Sequence, residues 1–111
     1  MIDPQLKRGL LEVCVLSALR QQDSYGYQII KDLNTCIEIS ESTLYPILRR
    51  LEGAGCLSVY SVEHSGRLRK FYRITPGGIQ LIDQFLDGWP EILQVYDYIK
   101  ECAEHDACAV S

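Results

Sequence analysis

A chain of 111 residues, 47% hydrophobic and 23% charged, has the length of one domain and the composition of a folded one. Its formal charge of −4, taken as a whole, argues against a nucleic-acid partner. No run of 18 apolar residues occurs, so no membrane span is expected, and the opening MIDPQLKRGLLEV has no separate apolar core with a small-residue cleavage site, so no signal peptide is expected either.

The first periodic segment runs from about Gln5 to Gln22. Leu6, Leu10, Leu11, Val13, Cys14, Leu16 and Leu19 leave few polar positions, which predicts a helix covered on more than one face. Asp3 is its expected cap and Pro4 its first residue. After the polar break at 21–24, Ser24 reads as the cap of a second helix, Tyr25 to about Asn34, with Ile29, Ile30 and Leu33 as its stripe. Gly26 in its first turn suggests a close approach by another backbone. A third helix begins near residues 40–42 and reaches Ala54, with Leu44, Ile47, Leu48 and Leu51 at helical spacing and Gly55 to end it. Pro46 is tolerable in it if Ser42 is the cap, which predicts a tight start or kink over 42–46.

Beyond Gly55 the period changes to two. Residues 57–62 and 68–74 alternate, and the polar linker 63–67 joins them into a β-hairpin with a basic tip. Thr75 and Pro76 then open a last helix, extending to about Glu104. Its stripe of Ile79, Ile82, Phe85 or Leu86, Trp89, Leu93, Tyr96 and Ile99 is longer than so small a domain covers, so it needs a partner surface. Pro90 is expected to kink or split this helix. Three helices, a hairpin and a long helix make a mostly α (α+β) chain: a winged helix-turn-helix over 1–75, followed by a C-terminal helix over 76–111.

Counted by segment, the charge reverses its first implication. Residues 1–41 carry −2, residues 42–74 carry +4 and residues 75–111 carry −6. The third helix and hairpin are therefore basic, as a phosphate backbone requires. With its leucines turned inward, the third helix presents Ser42, Thr43, Tyr45, Pro46, Arg49 and Arg50; the hairpin presents His64, Arg67, Arg69 and Lys70. Ser24 and Tyr25, at the start of the second helix, complete the candidate DNA-contacting set. Double-stranded DNA is the expected partner, and two copies would ask for a palindromic operator.

Five cysteines, Cys14, Cys36, Cys56, Cys102 and Cys108, form no C-x-x-C and are odd in number, which fits a reducing, cytoplasmic setting. Cys102, His105 and Cys108 carry soft ligands, but i to i+6 does not share a helix face, so no metal site and no cofactor is expected. A thiol- or metal-responsive regulator using those three, or a winged helix that binds only protein, are the alternatives. Two histidines at polar positions assemble no nucleophile, base and orienter, so no enzyme is expected.

Three blocks carry a resemblance: SYGYQI at 24–29, ESTLYPILRRLE at 41–52, and GRLRKFYRITPGG at 66–78. Together they resemble the PadR family of transcriptional regulators, over residues 5 to about 80, and the tail looks like that of short-tailed members with a single C-terminal helix. The resemblance implies a homodimeric repressor whose last and first helices form the dimer interface, here through Leu6, Leu10, Cys14, Phe85, Trp89, Leu93 and Tyr96. It implies a third helix in the major groove, a wing on the flanking backbone, and an aromatic or cationic small-molecule effector. Trp89, with Tyr98 and nearby Asp87 or Glu91, is where such an effector is expected; dimer core is the simpler role for the indole. Phe71 stands where the family more often has Tyr, and Pro90 departs from a straight dimer rod.

Overall fold

Asp3 accepts hydrogen bonds from the backbone N–H groups of Gln5 and Leu6 and starts α1, Pro4–Gln21. The computed structural model describes residues 3–109, with side chains through residue 105. Leu11, Val15, Leu16 and Leu19 bury one face of α1, while Leu6 and Leu10 turn toward the last helix. The second helix, α2, is Gly26–Leu33, and α3 is Glu41–Gly53. Ile29, Leu33, Leu44, Ile47, Leu48 and Leu51 close the core against α1.

Two helix starts differ from expectation. Ser24 does not cap α2: the flanking position is Tyr25, with no side-chain capping bond. The backbone of Ser24 is instead paired with Tyr72 in both directions, at 3.2 and 2.8 Å, a single antiparallel bridge beside the hairpin. For α3 the cap position is Ser40 and not Ser42, so Pro46 lies beyond the first turn. The helix runs on through it, forgoing the bond that residue 46 would have donated to the carbonyl of Ser42; both residues are exposed, and water can serve that carbonyl.

The end of α3 is a Schellman closure. Gly55 adopts φ +78°, its N–H donates to the carbonyl of Glu52, and that of Cys56 donates to the carbonyl of Leu51. The wing follows: β1, Leu57–His64, pairs antiparallel with β2, Arg67–Ile74, in register from Leu57 opposite Ile74 to His64 opposite Arg67. The strands are longer than the alternation predicted. The linker shrinks to Ser65–Gly66, both at positive φ (52° and 79°), the geometry of a type I′ turn that matches strand twist.

Thr75 joins wing to last helix. Its hydroxyl donates to the carbonyl of Gly55 at 2.6 Å and accepts from the N–H of Gly78 at 3.2 Å. Gly78 packs so tightly on the carbonyl of Cys56 that no Cβ fits there. Helix α4, Pro76–Ala109, is then continuous for 34 residues, about 51 Å at helical rise. Pro90 neither splits nor ends it. It runs opposite to α1: Arg20 pairs with Asp83 at 2.8 Å, and Leu6 lies in the same groove as Tyr96. Ile82 joins the core, but every described side chain from residue 90 onward is exposed. The radius of gyration, 18.1 Å, therefore exceeds the roughly 13 Å of a compact chain this long.

Candidate nucleic-acid interface

The exposed flank of α3, the start of α2 and the wing meet in one groove of about 520 Å³. Tyr25, Gly26, Tyr27, Tyr45, Arg69, Lys70 and Tyr72 line it. The close approach at Gly26 is made by a side chain and not, as expected, by a backbone: a Cβ there would stand 2.5 Å from the Tyr45 hydroxyl. Tyr45 thus lies across the first turn of α2, whose leading N–H groups no side chain caps. Uncapped N–H groups beside two cations suit a phosphate.

Arg69 is held over the ring of Tyr25, 4.3 Å from its centroid, and Tyr25 in turn meets Phe71 edge-on at 5.4 Å. This seats the wing cation against α2 and limits its rotamers. The base of the wing is held by Asp23. Its carboxylate accepts from the Tyr60 hydroxyl at 2.6 Å and from Arg73 at 3.0 Å, and Arg73 also lies over the Tyr60 ring. The hydrogen bond from Tyr60 holds the Asp23 carboxyl below its ordinary range, and the same bond holds the Tyr60 hydroxyl above its own. Burial pushes the Tyr72 hydroxyl up.

The expected contact residues separate into three groups. Tyr25, Tyr45, Arg69 and Lys70 come together in the groove; Ser42, Thr43, Pro46 and Arg49 are exposed on α3; and His64 and Arg67 stand at the wing tip. Ser42 and Thr43 share hydrogen bonds with the Ser40 hydroxyl at 3.0 and 3.3 Å. Ser24 leaves the set: it is only 5% exposed, because its backbone is committed to Tyr72. Arg50 is not free. Its guanidinium is paired with Glu12 of α1, with Nε at 2.8 Å, on the flank of α3 away from the wing. Asp23 was not anticipated, since its partners lie 37 and 50 residues along the chain and no local pattern announces them.

A second groove, about 510 Å³ and almost wholly apolar, lies between α1 and α4. Leu6, Leu10, Phe85, Trp89, Leu93 and Tyr96 all line it, and the Phe85 and Trp89 rings stand 5.4 Å apart. Cys14 faces the neighbouring groove with Cys36 and Leu86, and burial pushes its thiol up. Tyr98, Asp87 and Glu91 are exposed on α4. Cys102 and His105 are exposed as well, while Cys108 lies outside the residues whose side chains are described. Among the described residues no three His, Cys, Asp or Glu side chains stand together as metal ligands. No helix among them is long and apolar enough to cross a membrane.

The model of the transcriptional regulator PadR-like family matches residues 15–84. A transcriptional regulator from Clostridium thermocellum is 34% identical with a TM-score of 0.78, over 88% of this chain and 97% of that one. A PadR family transcriptional regulator from Eggerthella lenta is 35% identical with a TM-score of 0.79, over 87% of both chains. Bacillus subtilis PadR in complex with operator DNA shares the fold: its TM-score is 0.63 at 23% identity, over 68% of this chain and 46% of that one.

Proposed function

From the premise that this chain belongs to the PadR-like family of transcriptional regulators, not of enzymes, we propose that it is a homodimeric, cytoplasmic repressor that binds a palindromic operator and is released by a small aromatic or amphipathic effector. The observation that carries the reading is the groove in which Tyr45 of α3, the open start of α2, and Arg69 and Lys70 of the wing converge. Residues 1–75 read DNA: α3 enters the major groove with Ser42, Tyr45 and Arg49 leading, and Arg67, Arg69 and Lys70 follow the flanking backbone. That this fold sits on operator DNA in Bacillus subtilis PadR supports the assignment.

Residues 76–111 pair two chains. The apolar groove between α1 and α4 supports this, because Leu6, Leu93 and Tyr96 are about half exposed in one chain. An effector enters beside Trp89, where a flat ligand would stack on the indole and Asp87 or Glu91 would meet a cation. It acts by favouring a dimer whose two α3 helices are poorly spaced for DNA.

Titration against the DNA upstream of its own gene at two salt concentrations tests the reading. A protected palindrome and a steep loss of affinity with salt are expected. Arg49→Ala and Arg69→Ala should each weaken binding while the dimer persists; equal binding to random DNA refutes the reading. Quenching of Trp89, the single indole, reports the effector.

A further inference from the structure

Beside the proposed DNA-reading face of α3, whose Thr43 and Pro46 it shares, and apart from both grooves above, lies a cleft of about 670 Å³ between α3 and the first turns of α1. Its floor is apolar: Leu11, Ile39 and Ile47 belong to the core. Its rim carries Lys7, Arg8 and Arg50 against one carboxylate, Glu38; with Arg50 paired to Glu12, one positive charge is left over. Its size falls within the range of small-molecule sites, and polar side chains, Ser40 and Thr43 among them, ring the apolar floor. No residue of α4 lines it, so it is separate from the groove at Trp89.

We propose that this cleft binds small amphipathic carboxylates, with the apolar body on Leu11, Ile39 and Ile47 and the anionic head between Lys7, Arg8 and Arg50. Charge complementarity selects the head and the floor selects the body. Arg50 is the shared element. At rest it is paired with Glu12, and an incoming carboxylate offers its guanidinium a second acceptor. The ligand thereby touches α1 and α3 at once and takes hold of the flank of α3 opposite the wing. The site stands on this cleft alone and does not require DNA binding.

Isoleucine-methyl NMR during titration with 2-naphthoate tests it. Saturable shifts at Ile39 and Ile47, and not at Ile92 in the α1–α4 groove, are expected. 2-Naphthamide, equal in shape but uncharged, should bind at least about tenfold more weakly, the size of one lost charge-assisted contact. The double variant Lys7→Gln, Arg8→Gln should weaken 2-naphthoate to a similar degree, and Glu12→Gln, which releases Arg50, should tighten it. Shifts confined to Ile92, equal binding of acid and amide, or a response of Ile39 and Ile47 to duplex DNA but not to 2-naphthoate each overturn the proposal. Should the double variant fail to fold, the comparison of acid with amide still decides.

Discussion

At the proposed DNA face, Tyr45 packs directly on Gly26 and leaves no room for a Cβ unless its ring moves. Adding a methyl group at 26 leaves the backbone free of clash but drives the Tyr45 ring aside. Gly26→Ala should therefore change stability by less than about 1 kcal/mol, as better helix propensity offsets lost packing. It should cost DNA affinity about tenfold, one good contact. Parallel thermal melts and DNA titrations check this; a loss of fold with affinity unchanged would contradict it. Gly78 is the opposite case, because a Cβ there meets the backbone carbonyl of Cys56, which cannot swing away. Gly78→Ala should destabilise by about 1–3 kcal/mol, read from denaturant midpoints. At this scale the sequence is legible where a residue acts on its neighbours and opaque where it acts at a distance. Asp3 and Thr75 are readable as caps because their targets lie two or three residues on. Ser24 looks like a cap for the same reason, yet its backbone belongs to Tyr72, 48 positions away.

At the level of elements, periodicity and glycine placement give each helix and both strands, because buried leucines at three and four, or alternating residues at two, follow directly from backbone geometry. What they cannot give is how elements are tied together. The hairpin is held to the α1–α2 junction by Asp23, through Tyr60 of β1 and Arg73 of β2. Its carboxyl titrates below the ordinary carboxylate range, so it binds fewer protons folded than unfolded. The clamp is then fully present above about pH 4 and is lost as acid carries the pH through the folded value. Asp23→Asn should lower the melting temperature by a few degrees at pH 7, and this gap should close toward pH 3. A gap that widens on acidification would refute the clamp. Since Arg69 rides on β2, the same variant should also weaken DNA binding.

The whole molecule measures 70 × 26 × 21 Å, and the long dimension reflects α4. Isolated helical segments of this sort are marginal in water, so the outer half of α4 takes its stability from what covers it. With a second copy as cover, Leu93→Glu should place a charge in the seam and yield monomers by sedimentation or light scattering, and the melting temperature of the parent should rise with its own concentration. Failure of the variant to alter the oligomeric state would remove Leu93 from the seam. The charge map belongs to this scale as well. The −6 of residues 75–111 lies on the projecting helix, and the +4 of residues 42–74 lies on α3 and the wing. The whole-chain sum of −4 conceals that division.

Pro90 has a mechanical meaning. It leaves the carbonyl of Leu86 without its backbone donor in the middle of an otherwise uninterrupted rod. A rod with one missing rung has its lowest bending stiffness there. Compliance is thus concentrated over 86–90, the turn that also carries Trp89. The effector proposed to seat against that indole would then push on the softest point of a long lever, where a small force gives the largest swing at the far end.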